Sequence, residues 1–406
     1  MKNEKKRILF DLIAMEPNAT GSKFHGAADY AKNVLWYLST INKDNIIDCF
    51  FTNNNIPEMC KDIVGENDNI IYIHINTKNE VENLLLNKDY YTFFSALPYD
   101  YTDIKIPQTT KFIYTIHGLR KYEMPFDSDM LYYEKAKFKN YLRYIWNSIN
   151  REKLATQYIN QIKSLINLTE NRIIITVSEH SKYSILLACK NVNENEIHVL
   201  HTPSGLREII NKENKENSFD YLKKWGIEEK KYFLMISCNR WIKNCYRAVK
   251  AFDIMFDERP ELLNGYKVVL LGINNECRYI HKIKNKNKFV FEGYVEDEDL
   301  KDIYRKAYAF VYPTLNEGYG YPPIESMGYN IVPMCAANSS IIEVCKDAAC
   351  YFNSYNIKEI MNRIYQIMNK KKYEEYLKKG KEHYLHVKEL QNKDLIKIAD
   401  IILEHK

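Results

Sequence analysis

Two acidic residues eight positions apart bracket two glycines in the run Glu317-Gly318-Tyr319-Gly320-Tyr321-Pro322-Pro323-Ile324-Glu325. Carboxylates accept charge-assisted hydrogen bonds from sugar and ribose hydroxyls, and such bonds contribute more than neutral ones. The glycines let the backbone pass close to a ligand, and Pro322 or Pro323 suits the first turn of a helix. Amides at that helix start, at the positive end of its dipole, would hold a phosphate or diphosphate, with Glu325 in the first turn. On residue type alone a competing reading stands: Glu325 complements the dipole and Glu317 closes a turn.

A second constellation is Cys238-Asn239-Arg240-Trp241-Ile242-Lys243-Asn244. Arg240 and Lys243, three apart at a helix start, can face one anion, the first as a fork of donors and the second as a point charge. Solvated surface cations are the plainer alternative. His117-Gly118 ends a strand-like run, where an imidazole is placed for function as readily as for structure. Gly21 and Gly26-Ala27-Ala28 could let a diphosphate approach closely, but they lack the glycine fingerprint of a dinucleotide site. Asp127-Ser128-Asp129 and Asp297-Glu298-Asp299 resemble metal-binding acids, yet each precedes a helical run and reads better as caps and dipole partners. His383 and His386 share a helix face without a third ligand.

These residues need strands to deliver them. Short β-rich runs alternate with helical patterns, which is the signature of parallel sheets covered by helices. Strands are predicted at Ile8–Asp11, Ile46–Thr52, Ile70–Ile75, Tyr91–Phe94, Lys111–Ile116, Arg172–Val177 and Ile197–Leu200. A second set follows at Tyr232–Ser237, Lys267–Leu271, Phe289–Phe291, Ala309–Tyr312 and Ile331–Met334. Helices are predicted at Ala27–Ser39, Ser181–Cys189, Asn244–Phe256, Asp297–Lys306 and Pro323–Met327, and from Lys358 to the end. Ser128 to Glu170 lacks Gly and Pro and reads as two helices broken near Asn147–Asn150. Its stripe of Tyr132, Tyr133, Phe138, Tyr141, Tyr144 and Trp146, interleaved with lysines, is compatible with a membrane surface, though ordinary packing of an amphipathic helix is the better account. The expected division is residues 1–203, a polar linker at 204–230, a second α/β domain at 231–385, and a final helix at 386–406. Two such domains in tandem imply a cleft, with chemistry just after the strands.

At 406 residues the chain exceeds one ordinary core, and 46% hydrophobic content with 13 Gly and 11 Pro is globular. No apolar run approaches a membrane span, and Met1 to Arg7 is not followed by the apolar core of a secretory signal, so a cytoplasmic chain is expected. Nine cysteines without C-x-x-C pairs read as free buried thiols. Charge balances before Ser204, so the net +5 lies beyond it. That excess hints at an anion in the second half and is far below a nucleic-acid footprint.

Together these motifs resemble the retaining nucleotide-sugar glycosyltransferases of the GT-B fold, family 4. Glu317-Gly-Tyr-Gly-Tyr-Pro-Pro-Ile-Glu325 is similar to that family's E-G-F-G-L-P-x-x-E segment. Phe112–His117, Ile175–Lys182, Lys243-Asn244 and Phe291-Glu-Gly293 extend the resemblance over most of the chain. It implies two Rossmann-like domains facing across a cleft, with C-terminal helices crossing back to the first. It further implies that Glu325 binds ribose, Glu317 a hydroxyl of the transferred sugar, and Arg240 with Lys243 the diphosphate. The segment from Gly318 and Tyr319 to Gly320 and Tyr321 would contact the donor. His117 would lie beside the sugar, with Gly26 and Ala27 closing over the phosphates. Four departures stand out: Ser237-Cys238 replaces a glycine, Arg240 is only three residues before Lys243, Asn330 occupies a glycine position, and the first loop has Gly26-Ala27 where a glycine pair is expected.

The implied reaction transfers a hexose from a nucleoside-diphosphate sugar to a hydroxyl of a glycan or lipid-linked acceptor in surface polysaccharide synthesis. It needs no metal and no cofactor beyond the donor. Nucleic acid is not an expected partner; a peripheral membrane contact through the first domain is the further possibility. A catalytically inactive nucleotide-sugar-binding protein is the alternative from another class, with a GT-B sugar phosphorylase or epimerase beside it.

Overall fold

The computed structural model describes residues 6–16, 26–201, 203, 219–273 and 277–404. Gly21 and most of the expected linker, residues 204–218, lie outside the described residues. The chain divides into two compact units. The first comprises Met1–Leu119, Thr156–Glu213 and Lys388–Lys406, and the second Arg120–Ala155 and Asn214–Val387.

In the first unit β1 (Arg7–Asp11), β2 (Ile46–Phe51), β3 (Ile70–His74), β4 (Tyr90–Ser95), β5 (Lys111–Ile116), β6 (Arg172–Thr176) and β7 (Ile197–Val199) form one parallel sheet, ordered β3-β2-β1-β4-β5-β6-β7. The central strands β4 and β5 are buried along nearly their whole length, as apolar runs covered on both faces must be. In the second unit β8 (Tyr232–Met235), β9 (Lys267–Leu271), β10 (Phe289–Glu292), β11 (Ala309–Tyr312), β12 (Val332–Ala336) and β13 (Cys350–Phe352) are ordered β10-β9-β8-β11-β12-β13, again all parallel. The strand β13 was not foreseen. It is three residues long and pairs Met334 with Cys350 through Ala336 with Phe352 at the sheet edge. Both sheets reverse their winding between two central strands, β1 and β4 in one and β8 and β11 in the other. At such a switch point the flanking loops part and open a crevice at the carboxyl ends.

The stretch read as the second half of the first domain is divided between the units. Its helices Phe138–Ile149 and Arg151–Ile166 break at Asn150, as the pattern predicts. Arg120–Ala155, however, belongs to the second unit. Two buried contacts explain this. Arg247 grips Asp127 with both terminal nitrogens at 3.0 and 3.1 Å, and the Tyr133 hydroxyl accepts the Tyr246 amide at 2.9 Å. Asp129 stands at the N-cap of the short helix Met130–Tyr133 as expected but makes no capping hydrogen bond; the carboxylates of Asp127 and Asp129 instead pair with Arg247 and Lys250. The aromatic stripe also departs from expectation. Tyr133 is buried, but Phe138, Tyr141 and Trp146 face solvent.

The tail of the expected linker is a short helix, Tyr221–Trp225. Asp220 caps it through the Lys223 amide, and Gly226 ends it in the left-handed conformation. One long helix, Lys370–Leu403, serves the second unit up to Val387 and the first from Lys388. In the first unit its Asp394 accepts the backbone amide and Nδ1 of His201 at 3.0 and 2.6 Å. All nine cysteines are free and buried. No helix among the described residues is long and apolar enough to cross a membrane.

Candidate functional site

The switch point of the second sheet places two loops side by side. β8 runs into Ser237 to Asn244, and β11 runs into Pro313 to Gly320. Their backbones are stitched together: the Leu315 amide donates to the Ile242 carbonyl at 2.8 Å. Asn244 donates its side-chain amide to the Pro313 and Ser354 carbonyls, both at 2.9 Å. Ser237 and Asn244 have φ of 54° and 55°, and Asn330, which stands where the resembled family has glycine, has φ of 57°. The left-handed turns therefore survive without glycine; Asn tolerates that conformation better than most residues, whereas Ser237 adopts it against its usual preference.

At the centre is Glu317, nearly buried. Its Oε1 accepts hydrogen bonds from Lys243 Nζ at 2.5 Å, the Tyr312 hydroxyl at 2.8 Å and Thr314 Oγ1 at 2.7 Å. Its Oε2 accepts from Arg120 Nη2 at 3.3 Å. The third loop, after β12, completes the support. Ser339 Oγ accepts the Glu317 amide at 3.0 Å, and Ser340 Oγ donates to the carbonyls of Glu317 and Tyr319. One carboxylate oxygen is thus saturated by protein donors, while the other keeps acceptor capacity.

Burial pushes the Glu317 carboxyl upward. The charges of Lys243 and Arg120, with hydrogen bonds from Lys243 and Thr314, outweigh that and hold it at about 2. Burial pulls the Lys243 ammonium down to about 8. Glu317 opposes the fall, and the like charges of Arg120 and Arg240 add to it. Tyr312 is pushed well above its ordinary value by burial and then by Glu317, so it stays a protonated donor. Three cations therefore act on one carboxylate: Lys243 inside, Arg120 half-buried and Arg240 exposed. The excess positive charge is what a diphosphate would neutralise.

Of the residues singled out in sequence, Lys243, Glu317 and Arg240 come together here. Gly318, Tyr319 and Gly320 form the loop beside them. Gly320 has φ of 97°, which favours glycine, and a Cβ there would oblige the Ile341 Cδ1 methyl to move. Gly320 caps the helix Tyr321–Gly328, which starts two residues before the predicted Pro323. Glu325 is consequently its fifth residue and lies in the second turn, not the first, half-buried. Pro322 and Pro323 carry no N–H, so they thin the amide cradle expected at this helix start.

His117, Gly26 and Ala27 belong to the first unit. His117 ends β5, where its Nε2 lies 2.8 Å from the Ala96 carbonyl. Its backbone amide donates to the Tyr99 hydroxyl at 3.1 Å, and the Tyr30 ring meets the imidazole edge-on at 5.2 Å. With Nε2 as donor to a carbonyl, a neutral ring presents Nδ1 as its acceptor. Gly118 beside it has φ of 127°. Gly26 and Ala27 open the helix Gly26–Ile41. Sequence reasoning missed Arg120, Tyr312, Thr314 and Ser339. Tyr312 and Thr314 flank the strand end ahead of Glu317 and could have been flagged by position. Nothing in the chain order links Arg120 to Glu317. Asp297, Glu298 and Asp299 do occupy the first turn of Asp297–Lys306, the first two paired with Lys301. The His383 imidazole bonds the Val344 carbonyl at 2.7 Å.

Residues 217–384 match the model of the family described as glycosyl transferases group 1. The O-antigen chain mannosyltransferase RfbU of Salmonella typhimurium is 28% identical over 200 residues, 48% of this chain and 50% of that one. O-antigen chain mannosyltransferase B of Escherichia coli is 25% identical over 206 residues, 49% and 52% of the two chains. The chain spans about half the length of the curated relatives it matches. Among solved structures, Anabaena Alr3699/HepE in complex with UDP and glucose superposes with a TM-score of 0.67 at 11% identity, covering 98% of this chain and 100% of that one. WaaG, a glycosyltransferase involved in lipopolysaccharide biosynthesis, gives a TM-score of 0.61 at 13% identity, over 97% and 99%. The fold is therefore GT-B, and residues 217–384 match the model of the glycosyl transferases group 1 family.

Proposed function

We propose that the chain is a retaining, metal-independent hexosyltransferase. It would move a hexose from a nucleoside-diphosphate sugar to a hydroxyl of a glycan or lipid-linked acceptor in surface polysaccharide synthesis. The observation that carries this reading is the buried Glu317 carboxylate ringed by Lys243, Arg120 and Arg240 at the switch point of a parallel sheet. The transition state of glycosyl transfer separates charge, positive on the sugar ring and negative on the departing diphosphate. Preorganised cations at that point stabilise it, and removing one such donor typically costs about 100-fold to 1,000-fold in rate. The same three cations would supply the positive charge for which other transferases recruit a divalent ion.

In this reading Lys243 and Arg240 hold the diphosphate, Glu317 takes a sugar hydroxyl through Oε2, and Glu325 takes the ribose hydroxyls. The amides near Gly318 to Tyr321 line the donor. Gly26 and Ala27 are assigned to the phosphates and His117 to the transferred sugar. The bond from the anomeric carbon to the phosphate oxygen breaks, and the bond to the acceptor oxygen forms on the same face. The acceptor's proton passes to the leaving phosphate, so no protein nucleophile is needed. The names of the two O-antigen relatives favour mannose as the hexose and a growing surface glycan as acceptor.

The test is radiolabelled donor incubated with acceptor glycans, with the anomeric configuration of the product read by NMR and chelator added in parallel. Release of nucleoside diphosphate with retained configuration, unaffected by chelator, is expected. Consumption of inorganic phosphate without a nucleotide product would assign a phosphorylase instead, and donor binding without turnover on any acceptor or water would assign a binding protein. Glu317→Gln should impair transfer more than nucleotide binding; equal losses contradict its assignment to the sugar.

A further inference from the structure

The helix Phe138–Ile149 is packed with its apolar face outward. Phe138, Tyr141, Leu142, Ile145, Trp146 and Ile149 recur at steps of three and four, which places them on one side. None of the twelve residues is buried; Phe138 is 77% exposed, Ile149 76%, Tyr141 50% and Trp146 48%. The opposite side makes the attachment. The Tyr144 ring meets Phe126 at 5.2 Å, and its hydroxyl donates to the Ser128 carbonyl at 3.2 Å. Arg143 pairs with Glu134 at 2.5 Å. A contiguous apolar face on a helix held by its polar side marks an interaction surface.

Charge says which kind. The helix contains Lys139 and Arg143 and no acid. From Lys135 to Lys153 there are six basic residues against the single acid Glu152. Lys137, Lys139, Arg151 and Lys153 are exposed. Pairing of two copies about a two-fold axis would set like charges against like, whereas an anionic surface would relieve them. Aromatic and aliphatic side chains on one face, with lysine and arginine at its margins, are the composition of a helix lying in a membrane interface.

We propose that Phe138–Ile149 docks the chain on an anionic lipid bilayer. Its apolar face enters the headgroup boundary, and the flanking lysines meet the lipid phosphates. The helix lies within the second unit, in the segment that Asp127 and Tyr133 fasten to it, and not in the first domain where the sequence located a membrane contact. The claim is independent of the nucleotide-sugar reading, because the helix shares no residue with the cluster around Glu317.

The test is cosedimentation of the full chain with vesicles of phosphatidylcholine alone and of phosphatidylcholine containing about one-third phosphatidylglycerol. The wild type should bind the anionic vesicles and release as salt rises. Lys137→Glu with Lys139→Glu should weaken binding at least roughly 30-fold, since each lost cation near such a surface is worth most of a factor of ten. Phe138→Ser with Ile149→Ser should abolish binding while leaving thermal stability unchanged, as both side chains are already in water. Absence of binding to anionic vesicles, or binding that ignores lipid charge and the lysine substitutions, overturns the proposal. A concentration-dependent dimer abolished by Phe138→Ser with Ile149→Ser, without vesicle binding, would assign the face to a second copy. No nucleotide sugar is present, so none of these outcomes bears on the donor site.

Discussion

Raising the pH should weaken nucleoside-diphosphate binding through one residue, Lys243. In the free protein its ammonium titrates at about 8, against an ordinary value of 10.5. Burial causes the fall, Arg120 and Arg240 deepen it, Glu317 opposes it, and Tyr312 receives one of its hydrogen bonds at 2.5 Å. A bound diphosphate adds negative charge beside the ammonium and would restore its ordinary affinity for the proton. Affinity should then be flat below pH 8 and fall by up to tenfold per unit above it, roughly 300-fold in all if the full shift is reversed. Calorimetric titration with UDP and GDP in buffers of different ionisation enthalpy should detect uptake of about half a proton near pH 8. Lys243→Met should bind more weakly at neutral pH and lose the slope. A wild type without proton uptake, or a Lys243→Met protein with the same slope, refutes the reasoning. The same shifts bear on folding with opposite signs. A lysine whose folded value lies below its unfolded one destabilises by about 3 kcal/mol below pH 8, a cost relieved as pH rises toward 10.5. Glu317, held near 2 against 4.5, stabilises by about the same amount above 4.5, and this is lost as pH falls toward 2.

Other perturbations separate the parts of the site. Arg120→Ala should cost about tenfold in diphosphate affinity, the upper end of a charged contact being discounted for its partial exposure. It should also move the Lys243 titration upward, since a like charge is removed; an unshifted titration would place Arg120 outside the cluster. Gly320→Ala forces an unfavourable backbone and a clash with Ile341, so a loss of about 1–3 kcal/mol is expected in chemical denaturation. In a double-mutant cycle with Ile341→Ala only the steric part should appear as coupling, and a coupling equal to the whole loss would show that backbone strain is absent. Asp127→Ala removes the bidentate partner of the buried Arg247 guanidinium and leaves it only the longer contact to Asp129 at 3.5 Å, a loss of about 3 kcal/mol. It should expose the Arg120–Ala155 segment to limited proteolysis before the rest of the second unit; a cleavage pattern like that of the wild type would mean that other contacts hold the segment.

Much of the architecture was legible from local pattern. Twelve of the thirteen strands among the described residues follow from short β-branched and aromatic runs, because strands buried on both faces carry their signal within a few residues. The edge strand Cys350–Phe352 is too short to carry one. Glu317, Gly320 and Lys243 could be read because each follows a recognisable strand, where chain direction alone fixes the end of the sheet at which they emerge. Arg120 could not be read. It reaches Glu317 across 197 positions, in a segment that Asp127 and Tyr133 fasten to the helix Cys245–Glu258. The outward apolar face of Phe138–Ile149 was hidden for a related reason. Periodicity reveals that a helix has two faces, but which one meets protein depends on where Tyr144 and Arg143 are caught. The sequence therefore determined the elements and the loop chemistry, while the strand order and its switch points appear only in the folded sheets. Tertiary structure decided which distant charges share one carboxylate, because Coulomb interactions depend on distance in space and burial, neither of which is written in chain order.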